Sequence, residues 1–573
     1  MAKFLLGVIV GVVIVVLGGL ILILALGRLF STKQPVVPPN AVLVLALEGT
    51  IPERAPVEIS LPFVQVPGSP TIRDLWTSLR AAAKDNRVKA VVLEPRGLDA
   101  GWGKLAELRS DLLDFKKSGK PVYALLEGAG SKEYYLATAA DRIFISPDDY
   151  LNVKGFRIQE LYFKNALEKL GIGVQVDHIG RYKDAGDLFT RTNMTPETRE
   201  VLNGVLDQIY NDFCATVSGS RHKTPEDVKA LVDMGPFLAE QAKAVGLADD
   251  LGYEDQVFTA VKKKTGLSSL NKFVMRSYAR ATPGRGDRIA LLVGEGDILR
   301  GEAGGAGSDA VIASEPFSKL VRQVREDTSV KGVVVRIDSP GGDAVASDEI
   351  LHELKLLSAA KPTVISMSDV AASGGYFMSM TGDPIFSYPD TITGSIGVLY
   401  VRPNFKGLLE KFGISQDSLS RGKLADIDSL STPLSDAGFQ KLHDAIQATY
   451  HSFVSKVAAA RKKSYEQIDP LAQGRVWMGS QAYRNGLVDK LGGLNEAIAA
   501  VRKRAHLSET GDTNLVMYPP RRSLLQAIAE SQNEAQAEAA LWKRIRERVQ
   551  TWPGPAALKG GLLALMPYSL SVQ

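Results

Sequence analysis

Two stretches decide how this chain is put together: Asp85-Asn86-Arg87-Val88-Lys89-Ala90-Val91-Val92-Leu93 and Asp327-Thr328-Ser329-Val330-Lys331-Gly332-Val333-Val334-Val335. The second begins 242 positions after the first and repeats its pattern of an acidic turn, a Val-Lys pair and an apolar β-branched run. The correspondence continues outward. Lys120-Pro121 before an apolar run returns as Lys361-Pro362, and Gly246-Leu247-Ala248-Asp249 returns as Gly486-Leu487-Val488-Asp489, 240 positions on. A spacing that drifts by one or two residues marks two copies of one unit separated by small loop deletions. Within each copy, runs of strand composition (Val88 to Leu93 and Val122 to Leu126; Val333 to Ile337 and Thr363 to Met367) alternate with helical periodicity, as in Leu75, Leu79 and Ala82 or in Leu320 and Val324. Alternating strands and helices predict an α/β fold whose parallel sheets are covered by helices.

The flanks complete the plan. Phe4 to Gly27 carries no charge, and 24 residues of helix span about 36 Å, enough for a hydrocarbon core of about 30 Å. It reads as a transmembrane anchor, with a cleaved signal peptide ending near Ala25-Leu26-Gly27 as the alternative. Lys3 on one side and Arg28 and Lys33 on the other leave its orientation open. Pro35, Pro38 and Pro39 stiffen the segment that follows. The expected organisation is an anchor at 1–30, a linker at 31–40, an N-terminal repeat at 41–277, a joint at 278–288, a C-terminal repeat at 289–505 and a helical extension at 506–573. The extension is read from the Ala-, Glu- and Gln-rich stretch Ser523 to Val549.

Composition narrows the chemistry. The 573 residues hold 68 Lys and Arg against 64 Asp and Glu, a net charge of +4, which predicts no nucleic-acid partner. The basic runs Lys262 to Lys264 and Arg461 to Lys463 suit solvated helix faces. The lone cysteine, Cys214, excludes an intrachain disulfide and a cysteine-rich metal site. None of the six histidines, His178, His222, His352, His443, His451 and His506, stands in a triad or metal motif. No cofactor or metal is expected.

The copies differ where strands end. Copy two runs into Asp338-Ser339-Pro340-Gly341-Gly342 and then Ala371-Ala372-Ser373-Gly374-Gly375-Tyr376. Copy one has Glu94-Pro95-Arg96-Gly97 and Gly130-Ser131-Lys132-Glu133-Tyr134 at those places. Ser373 therefore sits at a strand-to-helix turn among glycines, either as an ordinary helix N-cap or as a nucleophile that a substrate backbone can approach closely. Gly341-Gly342 beside it adds backbone donors able to meet one oxyanion.

Together with Thr393-Gly394-Ser395-Ile396-Gly397 and Gly180-Arg181-Tyr182-Lys183-Asp184-Ala185, these motifs resemble the signal peptide peptidase A (protease IV) family in its long tandem-repeat form. That family is related in fold to Clp proteases and crotonases, and the likeness covers nearly the whole chain. The resemblance implies a serine peptidase with a Ser/Lys dyad: Ser373 as nucleophile, Lys183 as general base, and Ser395 holding the lysine amine. Gly374 with Gly341 or Gly342 would form the oxyanion hole. It also implies a homotetramer at the bacterial cytoplasmic membrane, its catalytic body on the periplasmic side, degrading hydrophobic peptides such as cleaved signal peptides. Lys423 is a rival base, since it lies 240 positions after Lys183 and single-repeat relatives carry their lysine downstream of the serine. Two other functions stay open at this level: a crotonase-like acyl-CoA enzyme and an inactive membrane scaffold.

Overall fold

The computed structural model describes residues 35–54, 60–61, 64–65, 70–281, 284–302, 311–520 and 561–566. The expected anchor and the stretch Ser523 to Val549 lie outside them. Among the described residues, no helix is long and apolar enough to cross a membrane.

The duplication read from sequence is a duplication of structure. Copy one builds a six-stranded parallel sheet in the order Asp250–Leu251, Arg142–Ile145, Val122–Leu126, Val88–Asp99, Ala41–Thr50, Asn271–Val274. Copy two repeats that order within an eight-stranded sheet, with Lys490–Leu491, Ile385–Ser387, Thr363–Ala372, Gly332–Ser339, Asp287–Glu295 and Thr513–Tyr518 again parallel; Ile392–Gly394 and Val476–Met478 are the added pair. Helices cover both faces, so the central strands are buried on both sides. This is why Val88 to Leu93 and Val333 to Ile337 are almost unbroken apolar runs.

Details recur as well. Tyr134 donates to the Leu247 carbonyl at 2.9 Å and Tyr376 to the Leu487 carbonyl at 2.8 Å. Arg221 pairs with Asp249 as Arg461 pairs with Asp489. The amphipathic helices fall as expected: Leu75, Leu79 and Ala82 are buried in Ile72–Lys84, and Val324 is buried with Leu320 partly so in Ser314–Glu326.

Two segments differ from the sequence reading. The expected joint begins inside a helix, Met275–Ala281, whose Tyr278 is buried. The region from 506, read as a helical extension, contains the strand Thr513–Tyr518 and so supplies an edge strand of copy two's sheet. It pairs parallel with Asp287–Glu295, a partner more than 200 positions away in the chain.

A third sheet joins the copies. Its order is Val311–Ala313, Asp297–Leu299, Gly341–Asp343, Gly561–Leu565, Val398–Asn404, Gly173–Ile179. Gly173–Ile179 belongs to copy one and pairs antiparallel with Val398–Asn404 of copy two, Ile179 opposite Val398 and Gly173 opposite Asn404. A strand has thus left its own repeat to enter the other. It carries the Gly180-to-Ala185 motif with it.

Candidate active site

Ser373 ends the strand Thr363–Ala372 and precedes the short helix Gly374–Met378. Its backbone is strained, at φ 53° and ψ −112°. Ser373 occupies the N-cap position of that helix, but its side chain makes no capping hydrogen bond there. The strand Ile392–Gly394 runs parallel alongside, with Ala372 opposite Gly394, and Ser373 donates its N–H to the Gly394 carbonyl at 2.8 Å. That register brings Ser395 level with Ser373.

Lys183 arrives from the other copy. Because Ile179 lies opposite Val398 in an antiparallel pair, the residues after Ile179 run back past those preceding Val398, toward Ser395. The Lys183 side chain is fully buried, and its Nζ lies 2.8 Å from Ser373 Oγ, 2.9 Å from Ser395 Oγ and 3.1 Å from the Ser395 carbonyl. Burial pulls the amine's pKa well below the ordinary lysine value, against an opposing pull from the Asp184 carboxylate. Tyr182 donates its N–H to the Gln473 carbonyl at 2.8 Å, and Arg475 stacks on the rings of both Tyr182 and Trp477, which fastens the incoming segment to copy two. Lys423 is exposed.

The predicted glycines also converge. A Cβ on Gly374 would stand 2.7 Å from Ser347 Oγ and 3.1 Å from both Gly341 Cα and Gly342 N. Only a glycine lets these two backbone segments approach so closely. Gly374 is the first residue of its helix, so its N–H lies outside the helical ladder. Gly341 gives its N–H to Ser339 Oγ at 3.2 Å.

The sequence reading did not find the loop that closes over the lysine. Gly474 sits at φ 73°, and a Cβ there would be 2.5 Å from Lys183 Cβ; one on Gly397 would be 3.1 Å from Lys183 Cδ. An isolated Gly-Arg pair 291 residues from Lys183 offers no local signal of that role.

In copy one, the place of the glycine-lined site is filled. The Glu133 carboxylate accepts N–H groups from Leu98 at 2.6 Å and Gly130 at 2.9 Å. Ser131 has no such donors to share with a substrate.

A strained serine at a strand-to-helix turn, flanked by glycine backbone and touching a buried amine, belongs with the serine peptidases. Comparison with known proteins agrees. The profile of Peptidase family S49 matches twice, at residues 114–268 and 355–508. The chain is 35% identical over 499 residues to "Serine protease SPPA, chloroplastic" of Arabidopsis thaliana, covering 85% of this chain and 72% of that one. It is 34% identical over 475 residues to "Protease 4" of Salmonella typhi, covering 80% and 75%. Among solved structures, a ClpP1 variant from Listeria monocytogenes aligns over 37% of this chain and 94% of its own, at 15% identity and a TM-score of 0.22. The chain belongs to peptidase family S49, with the family domain present twice, and it is a serine peptidase.

Proposed function

We propose that Ser373 and Lys183 form the catalytic dyad of an endopeptidase acting on extended hydrophobic peptides, cleaved signal peptides among them. The observation that carries this reading is the fully buried Lys183 amine at 2.8 Å from Ser373 Oγ. A neutral amine has two N–H donors and one lone pair. The two oxygens of Ser395 use the donors, and the lone pair is left for the Ser373 hydroxyl.

In the reaction, Lys183 takes the Ser373 proton as Oγ attacks the peptide carbonyl. The oxyanion rests on the Gly374 N–H and on one from the Gly341-Gly342 segment. Lys183 then returns the proton to the leaving amine, and water, deprotonated by the same lysine, releases the acyl group and restores Ser373. All these groups come from one chain, so the dyad needs no second subunit.

The substrate class is supported by the strand slot beside the glycines. Gly561–Leu565, from the tail, lies there antiparallel to both Gly341–Asp343 and Val398–Asn404, with Leu563 opposite Asp343 and Leu399. Met566 donates its N–H to the Pro340 carbonyl at 2.7 Å. A slot with strand edges on both sides binds peptide through backbone hydrogen bonds and favours extended, unfolded chains. We further propose the anchor at 1–30, a periplasmic body and a homotetramer, in keeping with the family resemblance.

The test is cleavage of a signal-peptide-like substrate by the purified full chain and by Ser373→Ala, Lys183→Ala and Lys423→Ala. The first two variants should lose activity and the third should keep it. Full cleavage by Ser373→Ala, or loss confined to Lys423→Ala, would refute the assignment.

A further inference from the structure

A second lysine of copy one reaches into copy two. Lys104, in the first turn of the helix Trp102–Lys116, is 6% exposed, and its Nζ lies 2.6 Å from Asp338 Oδ2, 3.7 Å from an Asp369 oxygen and 3.9 Å from a Glu295 oxygen. The two aspartates stand on the strands that feed the active site: Asp338 is three residues before Gly341, and Asp369 is four before Ser373. Between those strands the pairing is regular up to Ile337 opposite Met367 and resumes at Ser339 opposite Ala371. One residue, Asp338, therefore faces three, Ser368 to Val370, in a bulge. Bulges of this kind re-aim the residues that follow them.

All four carboxylate oxygens of Asp338 and Asp369 are held. Asp338 Oδ1 accepts the Val370 N–H at 3.0 Å, across the bulge. The Asp369 carboxylate accepts the N–H groups of Gly101 at 2.8 Å and of Lys104 at 2.7 Å. It thereby caps a helix of the other repeat, whose own N-cap, Gly101, has no side chain to do so. A Cβ on Gly101 would lie 2.3 Å from Asp369 Cγ, so the helix end and the bulge are in direct contact.

We propose that Lys104 is a positioning residue for the peptidase reaction. By pairing with Asp338 and Asp369 at once, it fixes the bulge from which the Gly341-Gly342 strand and Ser373 both emerge. Copy one then serves the site twice, with Lys183 touching the nucleophile and Lys104 setting the spacing between nucleophile and oxyanion donors. Small misplacements of such groups cost rate far out of proportion to the displacement. The inference rests on Ser373 being the nucleophile.

The test uses the full chain in detergent with Lys104→Met, Asp338→Asn and Lys104→Arg, and reads kcat and KM separately on one peptide together with the pH-rate profile. Lys104→Met should lower kcat about 100-fold with KM unchanged and the Lys183-dependent pH limb unmoved. Should Lys104→Met fail to fold because three carboxylates lose their cation, Asp338→Asn keeps the test alive. It retains the acceptor for Val370 and should lower kcat about tenfold at constant KM. Lys104→Arg, which keeps the charge, should recover part of the loss. Folded Lys104→Met or Asp338→Asn with wild-type kcat, or a loss confined to KM, would overturn the proposal. Cleavage by a Ser373→Ala control would instead overturn the nucleophile on which it rests.

Discussion

The buried Lys183 amine costs the fold stability in a pH-dependent way. Burial depresses its pKa in the native state, whereas in the unfolded chain it titrates near the ordinary value of about 10.4. Between those two values the unfolded state holds a proton that the native state lacks, so stability rises with pH across the window. The full penalty is felt below the native pKa. Lys183→Met should therefore abolish cleavage yet raise the unfolding free energy, by about 1 kcal/mol or more near pH 7 and progressively less toward pH 10. Chemical denaturation at the two pH values reads this, and a destabilised Lys183→Met would contradict it. The same depression sets the pH-rate profile: kcat/KM should rise with pH through a limb well below ordinary lysine titration, as neutral Lys183 accumulates. Ser395→Ala removes one of the two oxygens that direct the amine, and should cost about tenfold in kcat while Ser373 still reacts. Retention of full kcat would deny Ser395 that part.

At the scale of elements, what could and could not be read in the sequence divides along contact range. The parallel sheets, the two-copy plan and the Ser373 turn follow from local patterns, because strand composition, helical periodicity and glycine pairs act within a few residues. The choice between Lys183 and Lys423 did not follow. It depends on Gly173–Ile179 crossing to Val398–Asn404, a pairing between residues more than 200 positions apart. The Gly474 loop, the bulge at Asp338 and the strand Thr513–Tyr518 were missed for the same reason. Copy one shows how a duplicated element loses its site. Glu133 stands where copy two has Gly375, and its carboxylate takes the Leu98 and Gly130 N–H groups, putting negative charge where an oxyanion would need donors. Ser131→Ala should accordingly leave peptide cleavage unchanged. Gly374→Ala should reduce it at least 100-fold, because the added Cβ meets Ser347 and pushes the Gly341-Gly342 strand away. Equal activities for these two variants would contradict the division of labour.

For the whole molecule, the surface suggests what surrounds it. Two stretches related by the repeat, around the helices Lys164–Leu170 and Lys406–Lys411, reach outward beside the crossing strands, and neither helix has a buried residue. Between them they expose Leu161, Leu170, Phe412, Ile414 and Leu419, with Phe412 74% and Leu419 95% accessible. Exposed apolar side chains on a peptidase body are candidates for an interface, and further copies of the chain are the cover that the proposed homotetramer would supply. Light scattering of the detergent-solubilised full chain should give four times the chain mass, and Phe412→Asp with Leu419→Asp should reduce it. A monomeric parent would defeat the tetramer. The disassembled variant should still cleave a short peptide within about threefold of the parent rate, since substitutions distant from one another act independently and Ser373, Lys183 and Ser395 all belong to one chain. Complete loss of that activity on disassembly would instead mean that the neighbouring subunit holds the lysine-bearing strand in place.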